Sequence, residues 1–92
     1  MKVYLSPQVN NGEKFNYNFN GEVVFVEYKG ITDTFDFATF PEGAQFEGVE
    51  TTLEVNPIIN VRRENGVLFV TLLNFINSDA TEQEKFPEWV EV

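Results

Sequence analysis

The stretch that most constrains this chain is Ile59-Asn60-Val61-Arg62-Arg63-Glu64-Asn65-Gly66-Val67-Leu68-Phe69-Val70-Thr71-Leu72, two β-rich arms around an Asn-Gly pair. Asn-Gly readily takes the two positive φ angles of a type I′ turn, so a hairpin with a two-residue loop is expected. That loop sets Glu64 opposite Val67, Arg63 opposite Leu68, Val61 opposite Val70 and Ile59 opposite Leu72. Because side chains alternate across a strand, one face then carries Ile59, Val61, Leu68, Val70 and Leu72, which is a core face. Arg62 falls with Phe69 on the other face, where its guanidinium can stack on the ring. Arg63 stands near the turn on the side of Leu68, where its stem can cover apolar surface. Pairing with Glu54 or Glu64 is the simplest use of these two arginines.

The same period-two logic organises the rest. Residues 2–9 alternate weakly through Val3, Leu5 and Val9, and Pro7 suits an edge position. Phe15-Asn16-Tyr17-Asn18-Phe19 is a half-buried strand pattern. A two-residue turn at Asn20-Gly21 would set Phe19 opposite Glu22, Tyr17 opposite Val24 and Phe15 opposite Val26. Lys29-Gly30 offers a further turn, although lysine resists positive φ. Ile31 to Phe37 alternates again, so the first forty residues read as an antiparallel meander.

Pro41, Gly43 and Gly48 punctuate a loop over 38–48 that carries Phe40 and Phe46. These two rings either pin the loop to the core, which is the favoured reading, or form an exposed contact patch. Val49 to Val55 resumes strand alternation, and Asn56-Pro57 breaks it. Ser78 to Lys85 has N-cap residues, an acid three positions after Asp79 and a closing lysine, the signature of a short capped helix that stops before Pro87. Residues 86–92 read as an extended acidic tail anchored by Phe86 and Trp89. The expected fold over 1–92 is therefore one mainly β domain, a meander of six or seven antiparallel strands. It forms a small sandwich or partly open barrel with one short helix near residues 79–85.

Composition narrows the chemistry. With ten Phe and 42% hydrophobic residues the chain can bury one core, and with no cysteine it has no disulfide framework or thiolate metal site. Histidine is absent too, so Ser-His-Asp and Cys-His catalysis are excluded. No Gly-rich phosphate loop is present. Asp33 and Asp36, three apart on a strand, point to opposite faces. Asn77, Asp79, Thr81 and Glu84 lack the glycine bend of a calcium loop, and helix capping explains them. No catalytic, cofactor-binding or metal-ligating residue is expected. The net charge of −9 argues against binding nucleic-acid phosphates or an acidic membrane. The acids serve either as a solvated surface that keeps the chain apart from others or as a patch for a basic partner.

The run Ile31-Thr32-Asp33-Thr34-Phe35-Asp36-Phe37, the segment Val55-Asn56-Pro57-Ile58-Ile59, the hairpin Arg62 to Leu68, and Asp79-Ala80-Thr81-Glu82 with Glu84-Lys85-Phe86-Pro87-Glu88-Trp89 together suggest a family. They resemble small uncharacterised proteins encoded in phages and prophages of Gram-positive bacteria. The likeness covers roughly residues 22–92 and consists of turn, cap and core signatures. It implies a gene among late, virion-related genes and carries over no catalytic residue. The expected function is a non-enzymatic accessory of virion or tail assembly acting by protein–protein contact, as a monomer or weak homo-oligomer. It would sit in the bacterial cytoplasm or with the virion, since no apolar h-region of a signal peptide precedes Pro7. The rival is an acidic, DNA-mimic-like inhibitor of a host nucleic-acid-binding or defence protein; an enzyme on carbohydrate has the least support. The candidate contact residues are Phe40, Phe46, Arg62, Phe69 and Trp89.

Overall fold

In the computed structural model, which describes residues 1–92, every turn that carries a strand pair is built on a glycine with positive φ. Strand β1 runs Lys2–Val9, β2 Asn16–Asn20, β3 Val23–Tyr28, β4 Ile31–Asp36, β5 Ile58–Glu64 and β6 Val67–Ile76, followed by helix α1 at Glu82–Lys85 and strand β7 at Val90–Glu91. They form two sheets, ordered β5-β6-β1-β7 and β2-β3-β4, with no closed barrel. The core lies between them. Val3, Val61, Leu68, Val70 and Leu72 face Val24, Val26, Phe35 and Phe37, with Phe15, Tyr28 and Phe75 among the same buried cluster.

The β5–β6 hairpin closes at Asn65 and Gly66, whose φ values of 52° and 79° are those of a type I′ turn. Its register follows the expectation from Glu64 and Val67 through Val61 and Val70. Beyond that point β5 carries a bulge: Asn60 pairs with Thr71 and Ile58, not Ile59, pairs with Leu72. The extra residue turns Ile59 outward, 46% exposed, and gives its core place to Ile58. The buried Pro57 fixes this entry, its carbonyl accepting from Leu73 N at 2.8 Å.

Two further turns differ in detail from the sequence reading. The β2–β3 loop is Gly21-Glu22, not Asn20-Gly21, so Phe19 pairs with Val24 and Tyr17 with Val26. Gly21 alone takes positive φ, 61°, the glycine-first placement of a type II′ turn. The partner of each residue moves by two, so the same aromatics and valines share the inner face, while Glu22 escapes a position opposite Phe19. Phe15 then reaches Tyr28, with ring centroids 4.5 Å apart. The Lys29-Gly30 turn forms with both φ values positive, 52° and 77°, and the Lys29 ammonium lies 3.2 Å from Glu54.

The meander does not extend through the whole chain. β1 runs parallel to β6, from Lys2 beside Phe69 to Val9 beside Ile76, and lies inside its sheet. Parallel neighbours need a crossover, and here the second sheet and the loop to β5 supply it. On its other side β1 pairs with β7 at Lys2 and Val3 only, so Pro7 lies where no ladder needs its missing N–H. Residues 49–55 form no strand, contrary to expectation. Thr51 Oγ1 donates to Asp33 and accepts from Leu53 N, while Asn56 Oδ1 accepts from Ile58 N; these side-chain bonds replace a ladder. Helix α1 is capped by Thr81 with Glu84, two positions beyond the expected Asp79 and Glu82.

Candidate contact surface

Cross-strand register lines up four residues on the outer face of the larger sheet. Arg62 pairs with Phe69, Phe69 with Lys2, and Lys2 with Glu91. Their strand neighbours Val61, Val70 and Val3 are buried, so alternation turns these four side chains outward. Trp89 and Tyr4 complete the cluster. The Arg62 guanidinium sits 4.5 Å from the Phe69 centroid and 5.4 Å from that of Trp89. Trp89 meets Phe69 edge-on at 5.5 Å and Tyr4 at 5.5 Å, and the Lys2 ammonium lies 5.9 Å from Phe69. The face is thus two cations laid over Phe69 and Trp89, with Tyr4 against Trp89 and with Glu64 and Glu91 at its margins.

The arginine is held without being used up. Its Nε lies 3.3 Å from Glu64, too poorly aligned for a hydrogen bond, and that buried Nε has no other partner. Trp89 remains 41% exposed. Chemically the face offers planar apolar area and unspent N–H donors, a combination suited to docking another molecule.

The structure brings together three of the five candidate residues, Arg62, Phe69 and Trp89, and places the other two elsewhere. Phe40 and Phe46 are partly buried against the core and pin the 38–48 loop. That loop is further tied down by Arg63, whose partner is neither Glu54 nor Glu64. Its Nη1 and Nη2 grip both oxygens of Glu22 at 2.9 and 3.0 Å, its Nε donates to the Phe40 carbonyl at 2.6 Å, and Nη2 also reaches the Phe37 carbonyl. The paired guanidinium holds the Glu22 carboxyl below its ordinary range despite a smaller opposing effect of burial. Glu54 pairs with Lys29 and Glu64 with Arg62. Glu42 completes the tether, its two oxygens accepting from Asn65 N and Gly66 N at 2.8 Å each.

Other polar groups have structural work. The Asp33 carboxyl is lowered chiefly by the Thr51 hydroxyl, with Thr34 and Thr52 N–H groups adding to it, and burial opposing. Tyr17 donates to the Leu73 carbonyl, and burial raises its phenol. No three acidic side chains converge, and no helix is long and apolar enough to cross a membrane. A groove of about 620 Å³ runs beneath α1, lined by Leu5, Phe86, Pro87 and Val90 with Glu82 and Glu88 at its rim. Tyr4 and Lys2 were absent from the sequence candidates because their place depends on the β1–β6 pairing. Comparison of the chain with protein-family models, curated proteins and solved structures gave no match.

Proposed function

We propose that this chain is a non-enzymatic phage or prophage accessory protein that works by protein–protein contact, in virion or tail assembly, and that it docks through the Arg62–Phe69–Trp89 face. The observation that carries the contact reading is the exposed cation–aromatic cluster itself. Arg, Trp and Tyr dominate binding energy at protein interfaces because each combines large rigid area with a polar handle. The Arg62 Nη groups make no hydrogen bond within the chain and stand on a side chain 39% exposed, so an acceptor on a partner can take them. The phage setting is supported by the sequence resemblance over residues 22–92.

Affinity capture from prophage-induced cells tests the reading, using wild type and the variants Trp89→Ala and Arg62→Ala. The expected result is a virion-assembly protein retained by wild type and lost with both variants. A salt-sensitive complex with a basic DNA-binding host protein would overturn the assembly role in favour of inhibition. Capture that neither variant weakens would overturn the assigned face.

A further inference from the structure

A sheet edge with unpaired peptide groups invites another strand, and three of the four edges in this fold are guarded. β5 carries its bulge and is met by the 41–44 loop, Gly43 N donating to Arg63 O. β4 carries an inward-pointing charge, Asp33, bound to the 51–52 segment. β7 has only two residues, and beyond it the open side of β1 carries Pro7 in place of a ladder donor. β2 has no such device: Asn16-Tyr17-Asn18-Phe19-Asn20 is free of Pro, charge and bulge and has no neighbour beyond β3.

We propose that this edge joins two copies of the chain, pairing antiparallel through Tyr17-Asn18-Phe19 about a two-fold axis at Asn18, so that two three-stranded sheets become one of six strands. Asn20 and Val23 flank the two-residue loop and exchange ladder bonds, so Asn18 and Asn16 also turn their peptide groups toward β3. The peptide groups of Tyr17 and Phe19 therefore point outward. With Asn18 on the axis, Tyr17 of each copy lies opposite Phe19 of the other, and these are the residues whose donors and acceptors are free. The strand reads nearly the same in both directions, so asparagine meets asparagine on the outer face and ring meets ring on the inner.

Charge selects a second copy as the occupant. In a molecule of net charge −9, β2 is the one of the four edge strands that contains no acid and so presents none to an identical neighbour. Inside the edge lies a groove of about 340 Å³ lined by Val3, Leu5, Tyr17, Phe19, Val90 and Val92. The rings of the second copy fall beside it and cover it. One five-residue strand pair is smaller than the roughly 1,000 Å² of a stable complex, so association belongs at high concentration.

Sedimentation of wild type, Asn18→Lys and Asn18→Asp decides the matter. Asn18 is exposed, so both variants should unfold at the wild-type temperature. Directly opposed strand residues on a non-hydrogen-bonded pair sit about 4.5 Å apart between Cα atoms, close enough for like charges to separate the copies. Wild type is expected to move from monomer toward dimer as its concentration approaches roughly 1 mM, a range matched to a small interface. Each variant alone should remain monomeric there, and an equimolar mixture of the two should recover the dimer. Wild type that stays monomeric throughout, variants that associate as wild type does, or a mixture that fails to pair would each overturn the proposal.

Discussion

Replacing Gly66 by the two mirror forms of alanine isolates what the hairpin turn demands of the backbone. At φ 79° the residue sits in the left-handed region, and a Cβ added there meets no atom within 4 Å. Steric fit is thus removed from the L-Ala variant, whose cost is that of the backbone preference alone. An L-residue held in that region costs about 1–2 kcal/mol. D-alanine prefers the same region, so it carries no such penalty, and it narrows the unfolded ensemble by about 0.4–1 kcal/mol. In a domain of this size 1 kcal/mol moves Tm by roughly 4–8 °C. L-Ala at 66 should therefore lower Tm by several degrees while D-Ala raises it by a few, with the urea m-value unchanged in both. The Glu42 bond to Gly66 N survives either change, since the amide is retained. Chains made by chemical ligation and compared by thermal and urea unfolding provide the assay. Equal shifts for the two mirror forms would refute the positive-φ turn.

The β5 bulge predicts opposite fates for adjacent isoleucines. Ile58→Ala, at 5% exposure, should cost about 2–5 kcal/mol in urea unfolding, whereas Ile59→Ala, at 46%, should cost under about 1 kcal/mol. A reversed order would restore the unbulged register. Acid titration tests the Arg63–Glu22 clasp. The folded-state pKa of Glu22 lies below its ordinary value of 4.5, so its contribution is fully present above that value and is lost as pH falls through the folded-state pKa. The Tm advantage of wild type over Glu22→Gln should accordingly shrink on acidification from pH 6 toward pH 3; a constant difference would mean that the carboxylate charge is not what the arginine holds. Gly43 also has positive φ, 71°, with open space around a would-be Cβ, so Gly43→Ala should lower Tm by an amount similar to Gly66→Ala.

What could be read in advance follows the range of the interaction. The Asn65-Gly66 turn and the alternation around it are local, and they set Arg62 over Phe69 before any tertiary contact is known. The β2–β3 loop was misplaced by one residue, yet the inner face survived because the partner shift was even. The bulge at Ile59 was not legible, since it depends on how the buried Pro57 enters the sheet. Nothing in spacing encodes that β1 runs parallel beside β6, and Lys2, Tyr4 and Trp89 join the contact face only through that pairing and the β1–β7 one. Glu22 became the partner of Arg63 for a similar reason: the pair bridges two sheets. The helix start was ambiguous in the letters themselves, because Asp79 with Glu82 and Thr81 with Glu84 both satisfy the capping pattern.

Trp89 is the one tryptophan of the chain and lies at the centre of the proposed contact face, so its emission reports directly on that surface. The decisive titration adds the protein recovered by capture to wild type, with complex formation followed independently by sedimentation. Docking through the Arg62–Phe69–Trp89 face predicts a blue shift that saturates in step with the complex, as water leaves the half-exposed indole. An emission spectrum that does not change while the complex forms would contradict it.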